Sequence, residues 1–171
     1  MNERLSINPE QFNSNLFELF SQQWFLLTAG DFVSGEVNTM TVSWGLLGYL
    51  WNRPVATVYV RPTRHTYSLL DETPELTLNF LPEGMRAALQ LCGSRSGRDT
   101  DKWQEAGLEP EKAETIQVPR VAGARLALEC RVLATFDLAP ERFLDPSILG
   151  LYPKRDFHRA YVGEVLAAFE A

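Results

Sequence analysis

Residues 38–45 read Asn-Thr-Met-Thr-Val-Ser-Trp-Gly, and no other stretch constrains the chain as tightly. β-Branched and aromatic side chains favour a strand there, and Gly45 closes the run. A strand puts Thr39, Thr41 and Ser43 on one face and Met40, Val42 and Trp44 on the other. Faces turned to water usually carry charge. This one carries hydroxyls and the Asn38 amide, with no charge over its eight positions. Such groups suit the edge of a neutral polar ligand, or they suit one another across a sheet.

The surrounding pattern is mainly β. Trp24 to Ala29 is a short apolar run ended by Gly30-Asp31, and Val55 to Val60 is rich in Val, Thr and Tyr until Arg61-Pro62 stops it. Leu76 to Leu81 alternates, with Leu76, Leu78 and Phe80 on one face and Asn79 on the other. Leu126 to Phe136 alternates over a longer stretch, placing Cys130 among core positions and Glu129 and Arg131 on the opposite face. His158 to Ala168 predicts a last strand. Helices are expected from Asn8-Pro9 through Phe20, from His65 to Glu72 with Thr63 as cap, from Pro82 to about Leu91, and from Asp101 to Ala106 with Gly107 closing it. The turn after Leu46–Trp51 is expected at Asn52-Arg53-Pro54. The acid-rich segment 109–114 reads as a solvated loop. Trp24, Trp51 and Trp103 read as core or interface aromatics. The helices do not alternate regularly with strands, so a closed antiparallel barrel with a few peripheral helices is favoured over a parallel α/β sheet.

The 171 residues suit one domain, 1–171, with a sizeable core, since 45% are apolar. The net charge of −6 argues against a nucleic-acid or anionic-membrane partner. The opening Met-Asn-Glu-Arg carries no apolar leader, and no run is long enough for a membrane helix. A cytoplasmic protein with reduced thiols is expected. Cys92, Cys130, His65 and His158 do not fall into zinc spacing, so no metal site is expected.

Arg61-Pro62-Thr63-Arg64-His65-Thr66 joins the valine-rich strand to a helix start. Guanidinium groups, hydroxyls and the free N–H groups of a helix N-terminus are what a phosphate monoester needs. The plain alternative is a capped helix with two solvated arginines.

Together these two blocks closely resemble the flavin reductase-like family, whose domain is an FMN-binding split β-barrel. Leu78-Asn79-Phe80, Cys92-Gly93-Ser94-Arg95-Ser96-Gly97-Arg98-Asp99, Asp101-Lys102 and Tyr161-Val162-Gly163-Glu164-Val165 extend the resemblance over residues 15 to 168. It implies a mainly β (α+β) fold and FMN as cofactor. Asn38, Thr39, Met40, Thr41, Val42 and Ser43 would line the flavin ring and ribityl chain, and Trp44 would close that side. Arg61, Thr63, Arg64 and Thr66 would hold the phosphate. Asn79 and the loop of Ser94, Ser96 and Gly97 would flank the ring. Lys102 would approach the pyrimidine end and favour the anionic reduced flavin. His158 would lie at the pocket edge. The family further implies a homodimer with the flavin at the subunit interface.

No catalytic side chain is expected, because the cofactor carries the redox chemistry. The leading expectation is an oxidoreductase passing reducing equivalents from NAD(P)H to flavin or to an electron acceptor. The alternative is an FMN-bound electron-transfer protein that takes electrons from a redox partner and has no NAD(P)H site. A third is a barrel that has lost flavin or holds haem. No Gly-x-Gly-x-x-Gly fingerprint is present, but nicotinamide stacking on a flavin would not need one.

Overall fold

The computed structural model describes residues 5–171. The N-terminal Met-Asn-Glu-Arg, read above for a leader, lies outside the described residues. In chain order the elements are β1 (Leu5–Ile7), α1 (Leu16–Glu18), β2 (Phe25–Asp31), β3 (Glu36–Val42), β4 (Gly45–Leu50), β5 (Arg53–Val60), α2 (His65–Glu72), β6 (Glu75–Phe80), α3 (Arg86–Ser94), α4 (Lys102–Ala106), β7 (Pro110–Glu111), β8 (Arg120–Val121), β9 (Leu126–Asp137) and β10 (Arg159–Glu170).

One antiparallel sheet runs β3-β2-β6-β9-β10-β5-β4, and β1 adds to β10. The long strands β9 and β10 form its spine, with register irregularities at Val162/Gly163 and Val165/Ala167. Such irregularities bend a strand and increase its twist. Around this sheet the main core gathers Phe25, Leu27, Leu78, Phe80, Leu128 and Tyr161 with their neighbours. A second cluster of Leu26, Leu89, Cys92, Leu108 and Val121 seats α3 and the 108–124 segment on the outside. Cys130 and Cys92 are both buried thiols, as core packing predicts.

The elements differ from the sequence reading in four places, each for a local reason. The first helix is broken. Asn8 caps a single 3₁₀ turn at Pro9–Gln11, and Asn15 caps α1, which widens into a π turn at Leu19–Gln23. Phe12 and Leu16 pack on the core from separate turns, so helical spacing survived without one helix. The β4–β5 turn is Trp51-Asn52, both at positive φ (51° and 57°), with Leu50 facing Arg53. A two-residue turn needs left-handed backbone at both positions, and Trp is a rare occupant. In α2 the cap position is Arg64 instead of Thr63, and α3 starts at Arg86 and takes in Gly93 and Ser94.

The fourth difference concerns residues 109–121, which are not a solvated loop. Ala113, Val118 and Val121 are buried, and β7 pairs with β8. Glu129, expected on a wet face, is fully buried beneath this segment. Its carboxylate accepts the backbone N–H groups of Glu114 and Thr115 and the Thr115 hydroxyl. Arg120 stands 3.3 Å away, with its guanidinium 4.1 Å over the Phe169 ring. A buried carboxylate is tolerable only with this many donors and a counter-charge.

Glu129→Ala therefore leaves the buried Arg120 guanidinium short of its main counter-charge. We expect it to lower unfolding free energy by about 3 kcal/mol or more, read as an earlier urea midpoint. Glu114→Ala removes only an exposed partner of Arg120 and should change stability by about 0.5 kcal/mol or less.

Candidate functional site

Two adjoining hollows run along β3 on the α2 side of the sheet. The first, about 290 Å³, lies between Asn38, the turn carrying Thr63, Arg64 and Thr66, and the loop of Ser94, Ser96 and Gly97. The second, about 150 Å³, is walled by Met40, Thr41, Val42, Ser43, Trp44 and His158. They share Met40, Arg61 and Arg64. Beyond Ser43 and Trp44 opens an apolar hollow of about 940 Å³ that includes Tyr59, Phe143, Leu151 and Tyr152.

The first hollow is built by convergence of three connections. Asn38 donates its amide to the buried Thr66 hydroxyl at 2.7 Å, which ties β3 to α2 and leaves the Thr66 hydroxyl proton uncommitted. Arg64 donates to the Gly93 carbonyl at 3.0 Å, and Arg98 donates to the Thr63 carbonyl at 3.2 Å. These bonds hold the 93–98 segment against the 63–66 turn. Gly97 must be a glycine here, because a Cβ would fall well inside contact distance of the Asn38 side-chain oxygen.

Lys102 closes this hollow from beneath. It is buried, and its ammonium donates to the carbonyls of Thr39 at 2.9 Å and Cys92 at 3.1 Å. An ammonium has three protons, so one remains for a ligand. Burial, reinforced by the nearby Arg64, lowers its pKa to about 8, while proximity to Cys92 acts the other way. Lys102 thus stays mostly charged at pH 7. The Cys92 thiol is pushed up to about 11 by burial and stays protonated.

The hollow collects donors: Arg64, Arg95, Lys102 and the hydroxyls of Thr63, Thr66, Ser94 and Ser96. Its one carboxylate, Asp156, is already paired with Arg61 at 2.7 Å. Cations and hydroxyls at the N-terminus of an eight-residue helix make a receptor for an oxyanion. Among the described residues no group of three or more His, Cys, Asp or Glu is arranged to hold a metal, and no helix is long and apolar enough to cross a membrane.

Not every residue singled out from sequence reaches the cleft with its side chain. Thr39 is fully buried, and its hydroxyl lies 3.3 Å from that of Thr28, so only its carbonyl serves the site, through Lys102. Asn79 is also fully buried. Its amide donates to Thr77 at 2.9 Å, and its carbonyl accepts the Val121 N–H at 2.9 Å. It therefore fastens β6 to the 119–121 segment instead of flanking the cleft. Thr41 lines the cleft, but its hydroxyl is committed to the Leu89 carbonyl.

Arg61 differs from the expected phosphate ligand as well. It donates to Asp156 and to the Leu151 carbonyl at 3.0 Å, and its guanidinium sits 4.9 Å over the Tyr152 ring. His158 packs against Trp44, ring centroids 5.1 Å apart. Three lining residues were missed from sequence. His65 lines the first hollow with its Nδ1 buried and unpartnered. Tyr59 and Asp156 come from positions whose sequence context gives no signal; only the sheet register and the return of the 151–158 segment bring them in.

Against this geometry stand the comparisons. The flavin reductase like domain family matches residues 17–170. The chain belongs to that family. A stretch of 82 residues is 30% identical to an uncharacterized protein of Deinococcus radiodurans, covering 48% of this chain and only 36% of that one. Among solved structures, flavoredoxin from Methanosarcina acetivorans superposes with a TM-score of 0.69 at 26% identity, covering 99% of this chain and 76% of that one. An FMN-binding domain of flavin reductase-like enzymes from Shewanella baltica gives 0.71 at 18% identity, covering 99% and 78%. An NADH:FAD oxidoreductase from Streptomyces globisporus gives 0.68 at 18% identity, covering 91% and 80%. The antiparallel architecture is the split barrel of these proteins, as the resemblance implied.

Lys102 sets a pH dependence with a definite sign. Its pKa in the fold is below the unfolded value of 10.5, so unfolded chains bind more protons between about pH 8 and 10.5. The burial penalty is present below pH 8 and is relieved as pH rises through that window. Anion affinity moves oppositely, because the charge is lost above pH 8. We expect affinity for inorganic phosphate to fall from pH 7 to pH 9 more steeply than in Lys102→Gln, read by calorimetric titration.

Proposed function

We propose that the chain binds FMN in this cleft and works as an oxidoreductase, taking reducing equivalents from NAD(P)H and passing them to flavin or to an electron acceptor. The observation that carries the reading is the first hollow. Arg64, Thr63, Thr66, Ser94, Ser96 and Lys102 surround it with donors while its one acid is neutralised, beside an uncharged strand. That pairing of an oxyanion receptor with a neutral polar edge fits a phosphate tail joined to a planar heteroaromatic head.

Each residue then has a defined task. Arg64, Thr63 and Thr66 hold the phosphate, with the first N–H groups of α2 behind them. Arg95, exposed at the mouth, adds a second guanidinium in place of Arg61. Asn38 and Gly97 fix the width of the hollow, since the Asn38 side-chain amide lies so close to Gly97 that a Cβ there would collide with it. Met40, Val42 and Ser43 offer backbone groups and an uncharged wall to the ring, and Trp44 with His158 bounds its far side. Lys102 supplies positive potential, which favours a bound flavin that gains electrons. When bound, the flavin supplies the hydride and electron chemistry.

Two observations bear on the partner. The open apolar hollow beside Trp44 gives a nicotinamide or an organic acceptor room to reach the ring. A Streptomyces globisporus relative is an NADH:FAD oxidoreductase, and a flavoredoxin also shares the fold. The second reading, an electron-transfer protein fed by a redox partner, rests on that latter likeness. The exposed Trp44, Leu46, Leu50 and Trp51 along the β4 edge favour a homodimer with the flavin near its interface.

Arg64→Ala and Thr66→Ala should each weaken FMN binding by about tenfold or more, as loss of a charge-assisted or buried hydrogen bond predicts, while far-ultraviolet circular dichroism stays unchanged. Full flavin occupancy in both variants would place the phosphate elsewhere. Anaerobic NADH or NADPH should bleach the bound flavin; a flavin left oxidised would favour the electron carrier. Sedimentation should give a species of twice the 19.4 kDa chain.

A further inference from the structure

His158 reaches the cleft from the start of the last strand, yet its ring is not free to choose its protonation pattern. Its Nδ1 lies 2.7 Å from the Tyr152 hydroxyl, and both groups are buried. Its ring rests on Trp44 on one side and edge-on to Tyr152 on the other. Among the described residues, Nε2 has no protein partner, and the ring lines the second hollow. One nitrogen is thus spoken for, and the other serves whatever occupies the cleft.

The direction of the Tyr152–His158 bond decides what Nε2 offers. A phenol is both donor and acceptor, whereas a neutral imidazole has one nitrogen of each kind. If Nδ1 carried the proton, the buried Tyr152 O–H would have no acceptor, at the cost of an unsatisfied donor. If Tyr152 donates, both groups are satisfied. Arg61 strengthens that choice. Its guanidinium lies over the phenol ring, and the nearby positive charge favours negative charge on the phenol oxygen, which makes the O–H a better donor. Arg61 is itself fixed by the Asp156 carboxylate and the Leu151 carbonyl, all within the segment that carries Tyr152.

We propose that Tyr152 and Arg61 are positioning residues that lock His158 as a neutral imidazole with Nδ1 bare and Nε2–H presented to the cleft. The site then offers a fixed hydrogen-bond donor to a carbonyl oxygen on a planar ring lying against Trp44. A carboxamide-bearing or ketone-bearing ring meets that description, and a cationic or donor-only group does not. The groups facing His158 are Tyr152, Arg61, Arg64 and Asp156. Burial together with the two arginines keeps the imidazole uncharged, its pKa lowered to about 4, and Asp156 opposes this but is held by Arg61. The lock concerns the protein alone; only its use by a ligand rests on the flavin reading.

Nitrogen-15 NMR of the flavin-free protein reads the lock directly, since protonated and bare imidazole nitrogens resonate far apart. Wild type should show one tautomer, Nε2-protonated, across pH 6 to 8. Tyr152→Phe keeps the ring and removes the hydroxyl. It should give a tautomer mixture of a ring that stays uncharged, because burial and the two arginines remain. Arg61→Gln should shift the same signals partway, and Arg61→Lys should restore them in part. An Nδ1-protonated or charged His158 in wild type, or a Tyr152→Phe spectrum identical to wild type, would overturn the proposal. A separate FMN titration of wild type tests the flavin reading, so either idea can fail without the other.

Discussion

A buried ammonium organises the site. Lys102 is nearly sealed from water, and an unpaired cation in such a place would cost several kcal/mol. It is satisfied by two backbone carbonyls, one on β3 and one near the end of α3. Those carbonyls must converge on one nitrogen, so the strand and the helix are held a fixed distance apart. The same closeness leaves little room at Gly93, where a Cβ would stand 3.3 Å from Thr41. The charge that draws the backbone together is also the charge offered to an anion above it. Stability and binding potential come from one side chain, and they respond to pH in opposite directions.

A second buried polar system works only for the fold. Thr28, Thr39, Thr77 and Asn79 form a ribbon of hydroxyl and amide contacts on the outer face of β2, β3 and β6. The Pro119 carbonyl and the Val121 N–H cap it, and Glu129 with Arg120 pins the same covering segment one strand further on. The hydroxyl-rich strand therefore divides its labour. Thr39 faces the ribbon, while Met40 to Trp44 border the cleft. Both meanings of an uncharged polar strand, pairing within a sheet and serving a ligand, occur on neighbouring residues.

The arginines show a comparable division. Arg61 and Arg64 are three residues apart and chemically identical. Arg64 projects beside α2 into the donor-lined hollow and bonds to Gly93. Arg61 follows the end of β5 and is taken up by the 151–156 segment, which links the donor-lined hollow to the Tyr152–His158 pair. Residues from both ends of the chain thereby converge on one cleft, and its two halves are mechanically joined through Arg61.

Local rules made much of this legible. Alternation over 126–136, the valine-rich run to Arg61-Pro62, and the Asp101…Gly107 caps are written in short windows, because pleat, proline chemistry and left-handed glycine act over a few residues. The grouping of Thr63, Arg64 and Thr66 was legible through family motifs for the same reason, whereas Lys102, expected at the pyrimidine end of a flavin, lines the same hollow as that turn. What stayed hidden was what lies across from each residue. Nothing adjacent to Glu129 announces that residues 114 and 115 will cover it, nor does sequence tell that Asp156 will claim Arg61 or that Tyr152 will claim His158. Sequence by itself determined the long strands, the turn rich in cations and hydroxyls after β5, and the family. Tertiary structure alone decided which polar groups are consumed in the interior and which remain for a ligand, because hydrogen-bond satisfaction depends on partners brought together from 6 to 95 residues away.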